Sequence, residues 1–128
     1  MYEIVVGVDA NVDRALAQTN AITGLPGHEE IRATLVHVLE DDEGSVEDVE
    51  SVAEARSALE EAGVDVRAEG AQGDPALCLL DTAERRDADC ICVAGRDRSP
   101  TGKAIFGSVT QDVIVGTRRP TLVCSAES

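Results

Sequence analysis

Cys90-Ile-Cys-Val-Ala94 runs directly into Gly95-Arg-Asp-Arg-Ser-Pro-Thr-Gly-Lys-Ala-Ile-Phe-Gly-Ser108, and Val109 to Val115 follows with the look of a helix. The first five residues are apolar and partly β-branched, as in a strand buried on both faces. A glycine-rich segment between such a strand and a helix N-terminus is where α/β proteins hold phosphate. Backbone N–H groups converge there, and the helix dipole favours negative charge. From Gly95 to Pro120 stand five basic residues, Arg96, Arg98, Lys103, Arg118 and Arg119, against the acids Asp97 and Asp112. The segment therefore carries +3 in a chain of net charge −14, and the remainder carries −17.

Working outward, the same strand-then-helix alternation fills the rest of the chain. Glu3-Ile-Val-Val-Gly-Val-Asp9 reads as a buried parallel strand ending in an acid, and Val12 to Ile22 as a helix closed by Gly24, Pro26 and Gly27. Ile31 to Leu39 is a second strand. Between Glu40 and Glu61 lie ten acids and one arginine, read as a solvated face. Within that stretch Ser45-x-x-Asp48 resembles a capping box opening a helix. Val46, Val49, Val52, Ala53 and Leu59 fall near one face of it, and Gly63 is placed to end it. Val64 to Ala68 alternates as an edge strand does. Asp74 and Pro75 supply an N-cap and a first helical residue for a helix to about Arg86. Asp89 to Ala94 is the fourth strand. Ser108, with Gln111 three residues on, is expected as the N-cap of the last helix, and Pro120 to Ser125 closes the sheet.

This order implies an α/β fold, an open doubly wound five-stranded parallel sheet of order 3-2-1-4-5 with helices on both faces, in one domain over residues 1–128. Ligands of such sheets bind outside the carboxyl ends of the strands, beside the point where strand order reverses. Here that point lies between the first and fourth strands. Asp9 and Gly95 are therefore expected to face one crevice, although an acid at Asp9 would equally serve as a helix cap.

Composition narrows the possibilities. One Phe, one Tyr and no Trp leave no aromatic platform for stacking bases, so no nucleic-acid partner is expected. No apolar run reaches the length of a membrane span, no signal peptide is evident, and a cytoplasmic location is expected. Ten arginines, one lysine and twenty-five acids resemble the acidic proteins of salt-accumulating archaea. At about 1 M salt the Debye length is roughly 3 Å, so only charges in contact with a ligand would count. Cys78, Cys90, Cys92 and Cys124 all sit in apolar runs without a C-x-x-C, and are read as free buried cysteines with no metal site.

Taken in order, Ile4-Val-Val-Gly-Val-Asp9, Leu35-Val-His-Val38, Gly73-Asp-Pro75, Val93-Ala-Gly95, Gly107-Ser-Val109 and Arg119-Pro-Thr-Leu-Val123 resemble the universal stress protein family across essentially the whole chain. The resemblance implies the Rossmann-like, adenine nucleotide alpha hydrolase-like fold, a stress-response role and a homodimer through the last strand around Leu122 to Cys124. One branch of the family binds ATP or AMP, with or without Mg²⁺; the other is a dimeric scaffold without nucleotide. Carried over residue by residue, it implies Asp9 toward ribose and adenine, the backbone of Val38 at the adenine edge, and Ala94 and Gly95 beside the ribose. Gly107, Ser108 and Val109 would receive phosphate oxygens, with Arg96 and Arg98 adding charge.

The family's binding loop reads Gly-x-x-Gly-x9-Gly-Ser/Thr. Here Arg98 stands for the second glycine, and eight residues, not nine, separate it from Gly107. A lost backbone contact to phosphate costs on the order of 1–3 kcal/mol, roughly 5- to 150-fold in affinity. Charge-assisted bonds from Arg96, Arg98 and Lys103 would offset it.

Two other chemistries fail on spacing. A Walker A loop needs four residues between its glycines and a hydroxyl residue after the lysine, whereas six separate Gly95 from Gly102 and Ala104 follows Lys103. A phospho-receiver domain needs an acceptor aspartate ending the third strand, where Ala68-Glu69-Gly70 stands. No Ser–His–Asp or Cys–His pairing is evident, so turnover is not expected beyond a slow, incidental ATPase.

Overall fold

A computed structural model describes residues 1–95 and 106–125. Five strands, β1 (Tyr2–Gly7), β2 (Ile31–Val38), β3 (Asp65–Ala71), β4 (Cys90–Ala94) and β5 (Thr121–Cys124), pair in parallel in the order β3-β2-β1-β4-β5. The α-helices are α1 (Val12–Thr23), α2 (Glu50–Glu61), α3 (Pro75–Arg85) and α4 (Ser108–Gly116). The expected topology is the observed one.

Alternation along the strands divides the core in two. Ile4, Val6 and Val8, with Leu35, Cys90 and Cys92, pack against Ala15 and Ile22 of α1 and Val52, Ala55 and Leu59 of α2. Val5, Val36, Ile91 and Val93 face the other way, against Ala76, Leu79 and Ala83 of α3 and Val113 of α4. β1 and β4 are buried on both faces because each lies inside the sheet with helices above and below.

Helix ends follow local chemistry, with informative exceptions. Asp74 caps α3 by accepting from Leu77 N at 3.0 Å, with Pro75 at the first position, as expected. Gly63, at φ +88°, ends α2 in a Schellman turn: its N–H reaches Glu60 O and that of Val64 reaches Leu59 O, both at 3.0 Å. Ser45 does not open α2. Its hydroxyl bonds the Asp48 carboxylate at 3.0 Å, a 3₁₀ turn spans Val46–Asp48, and the α-helix starts at Glu50. Two side chains that bond each other leave the backbone N–H groups uncapped, so the helix begins one turn late. That shift turns Ala53 to solvent and brings Ala55 into the core. β3 runs three residues past Ala68, because the ladder with β2 continues to Val38 opposite Ala71.

Edge strand β3 is fastened to the end of α3 by charge. The Glu69 carboxylate accepts from Arg86 Nε at 3.0 Å and from the Arg86 and Arg85 Nη2 groups. Burial alone would raise the Glu69 carboxyl, but the two guanidiniums outweigh it and hold it below the ordinary value of 4.5. A carboxyl lowered on folding stabilises the native state above its unfolded pKa, and that contribution is lost as pH falls through the folded value. Glu69→Gln is therefore expected to be less stable than the parent in urea at pH 7. The difference should shrink below pH 4.5, and a gap that stays constant from pH 7 to pH 3 would contradict this.

Candidate ligand crevice between the first and fourth strands

Beyond the carboxyl ends of β1 and β4 the connections leave toward opposite faces, and a cavity of about 300 Å³ opens there. Its floor exists because Gly7 ends β1 without a side chain. A Cβ at that position would stand 2.5 Å from Leu79 Cδ1, and Leu79 itself lines the cavity. Beneath the floor Gln18 of α1, fully buried, donates from Nε2 to Gly7 O at 2.8 Å, with Cys92 O at 3.5 Å. One amide so bridges the end of β1 and the middle of β4, the two strands that frame the crevice.

On the opposite wall stands the first turn of α4. Thr110, in that turn, donates from Oγ1 to Ala94 O at 2.9 Å, which ties the helix to the tip of β4. Gly107, Ser108, Val109 and Thr110 all border the cavity. A helix leaves its first amides without intrahelical partners, so this wall presents N–H donors and the positive end of a dipole. Gly107, not Ser108, is the N-cap; Ser108 is already the first helical residue. Gln111 does not complete a capping box either, since its amide reaches Phe106 O at 3.2 Å.

Asp9 lies two residues past β1 and lines the cavity. It is not the cap of α1. Asn11 is, accepting from Arg14 N at 2.9 Å. Asp9 instead shapes the approach to that cap. Its Oδ1 accepts from Asn11 N at 2.9 Å and its Oδ2 pairs with Arg14 Nε at 2.7 Å, while the side chain remains 48% exposed. From α2, Ser51 Oγ donates to Asp9 O at 2.5 Å and holds the loop from behind.

Val38 and Ala94 also line the cavity; Gly95 lies just outside its wall, donating its N–H to Cys124 O at 2.6 Å. Arg96 and Arg98 fall outside the described residues, as do Asp97, Gly102 and Lys103. The cationic segment does not act as one patch. Arg119 sits at the other end of the sheet, donating to Ala88 O at 2.8 Å and pairing with Glu84 and Asp87. The reason is topological: α4 carries the chain back to the start of β5.

Five polar residues of the crevice wall stand outside the sequence expectations: Arg14, His37, Glu40, Glu43 and Thr110. Buried His37 directs Nδ1 at Val8 O, 2.7 Å away, and Nε2 at the Glu43 carboxylate, 3.1 Å away. The two contacts engage both ring nitrogens and so fix the orientation of the imidazole in the wall. The Glu40 N–H, against the cost of burial and with help from His37, holds the Glu43 carboxyl below the usual range. The only signal for this pair was a histidine inside an apolar strand followed six residues later by an acid.

A comparison with known proteins agrees with this architecture. The universal stress protein family matches residues 1–125. The chain belongs to that family. A universal stress protein of Archaeoglobus fulgidus is 30% identical and superimposes with a TM-score of 0.76 over 97% of this chain and 98% of its own. A structure of the Archaeoglobus fulgidus protein in complex with dAMP has a TM-score of 0.71 at 24% identity, covering 97% of this chain and 98% of that one. Stress response protein NhaX of Bacillus subtilis is 36% identical over 74 residues, 58% of this chain. The match spans only 45% of that curated relative's length.

With Gly107 as the cap, Ser108→Ala should leave stability within about 0.5 kcal/mol by chemical denaturation, since the residue is not the one whose side chain would hold the helix. A loss near 1–2 kcal/mol, typical of a removed cap, would restore Ser108 to that role.

Proposed function

We propose that this universal stress protein binds an adenosine phosphate, ATP or AMP, in the crevice between β1 and β4 and acts as a stress-response regulator. The observation that carries this reading is the shared cavity: Asp9 and the first turn of α4 border the same space. Its volume lies at the small end of ordinary ligand sites. The fold neighbour that holds dAMP supports the chemical class.

In this reading the Val38 backbone meets the adenine edge, Asp9 and Ala94 flank the ribose, and the backbone N–H groups of Gly107, Ser108 and Val109 donate to the phosphate oxygens. Arg14 pairs with Asp9 and orients it, so a ribose hydroxyl meets a carboxylate already held in place. The described wall carries the acids Asp9, Glu40 and Glu43 against the single base Arg14. Charge for the phosphates then comes from Arg96 and Arg98, which follow Gly95 in sequence. Mg²⁺ enters only with a triphosphate: among the described residues no group of three or more His, Cys, Asp or Glu is arranged to hold a metal. The protein works by occupancy and not by turnover.

The rival is a dimeric scaffold of the same fold without nucleotide. It draws on one observation: both Asp9 carboxylate oxygens are already engaged, by Asn11 N in the loop and by Arg14 on α1. In either reading β5, an edge strand with Val123 36% exposed, meets a second copy of the chain. Nucleic acid and membranes are not among the proposed partners, and a cytoplasmic site of action accompanies the regulatory role. No helix among the described residues is long and apolar enough to cross a membrane.

Protein purified gently and then denatured is expected to release adenine nucleotide, measured by chromatography, and millimolar AMP or ATP should raise the melting temperature. Gly107→Asp should abolish both while preserving the fold. Aspartate is a good N-cap, but its carboxylate would occupy the phosphate position and repel it. Absence of nucleotide together with no thermal shift would favour the scaffold. Separately, Val123→Arg is expected to convert dimer to monomer in sedimentation, and an unchanged mass would exclude β5 as the interface.

A further inference from the structure

Two thiols that the crevice does not use lie in contact. Cys92 of β4 is 0% exposed and Cys124 of β5 is 8% exposed, and their sulfurs are 3.6 Å apart. They are diagonal neighbours across a parallel pair, Cys92 opposite Leu122 and Cys124 opposite Ala94. Both point to the same face of the sheet, into the core beneath α1 and α2. The other two cysteines are placed differently. Cys90 sits one residue pair lower on β4, its sulfur toward Ile91 O, and Cys78 lies on α3 with its sulfur 3.4 Å from Gln72 O.

From this geometry we infer that Cys92 and Cys124 form a modification site, which a peroxide-class oxidant converts into an intrachain disulfide that fastens edge strand β5 to β4. Within one chain β5 has four residues and a single ladder partner, so a covalent link to β4 adds to that ladder. Of the two thiols Cys124 is the less enclosed, and local fluctuation of this short strand admits a small oxidant to it first.

Chemical asymmetry sets the order of events. Contact with the Cys124 sulfur and burial push the Cys92 thiol up, while Cys124 is the less enclosed of the two and the first that an oxidant meets. Cys124 as thiolate attacks one peroxide oxygen, the O–O bond breaks, and hydroxide or alkoxide leaves, giving a sulfenic acid. Cys92 then attacks the Cys124 sulfur, the S–O bond breaks, and water leaves with the Cys92 proton. Two thiols lose two electrons and two protons in total, and the peroxide is reduced to an alcohol or water plus a second water. The reaction is independent of nucleotide in the crevice.

Reduced protein, in its native assembly, is treated with hydrogen peroxide, quenched, denatured and alkylated, then weighed and digested. The expected result is a loss of about 2 Da, two thiols protected from alkylation, and a peptide joining Cys92 to Cys124. The bridged protein should melt about 5–10 °C higher, and dithiothreitol should reverse the rise. Cys78→Ser should bridge as the parent does, whereas Cys124→Ser should not. Four alkylatable thiols after peroxide, or a linkage through Cys78 or Cys90, would overturn the site. A bridge without a higher melting temperature would overturn the stapling.

Discussion

The parallel pairing of β1 with β4, Ile4 opposite Cys90, Val5 opposite Ile91 and Val6 opposite Cys92, is the constraint on which the molecule rests. It joins the first strand of the chain to one about ninety residues later, and everything between must return to make it possible. On one side of this seam the chain moves outward through β2 and β3; on the other it moves outward through β5. A gap at the tips of β1 and β4 is the geometric result. Without that seam Asp9 and α4 would have no reason to meet.

The polar groups around the seam convert a gap into a site. Gln18 joins the two strands from below, Thr110 pins α4 to Ala94, and Ser51 holds the Asp9 loop from α2. Each of these is a side chain bonding a backbone carbonyl, a pairing that lets a buried polar group be satisfied without introducing net charge. The charged pair Asp9–Arg14 stands nearer solvent, where desolvation costs less, whereas His37 meets Glu43 from a buried position. Gln18 is the exception to complete satisfaction, since its Oε1 has no partner among the described residues.

Legibility in the sequence followed the strength of local periodicity. β1, β2 and β4 are short β-branched runs, and α3 opens on Asp74-Pro75; these were readable because local preference and tertiary position agree. Their order was enough to derive the sheet and to point Asp9 at the crevice; Gly95, expected beside it, lies just outside the cavity wall, and Gly107 is implied by the family resemblance and not by the order. What failed was cap chemistry. Ser45 and Ser108 have the spacing of capping residues, but Ser45 spends its hydroxyl on Asp48 and Ser108 is one residue inside its helix. Asn11 was masked by the more conspicuous Asp9. Arg14 carried no signal at all, and Glu43 only its spacing from His37, because a charge on a helix or in an acidic loop reads as ordinary surface until the fold turns it inward.

The bond from Thr110 to Ala94 bears on the length of the glycine segment. It gives the chain two anchored points, the tip of β4 and the first turn of α4, whose separation is set by core packing and not by the residues strung between them. Insertions or deletions in that span alter what it presents without moving either anchor. A lineage could therefore drop a residue there, or trade glycine for arginine, and retune its ligand chemistry while the scaffold stays indifferent.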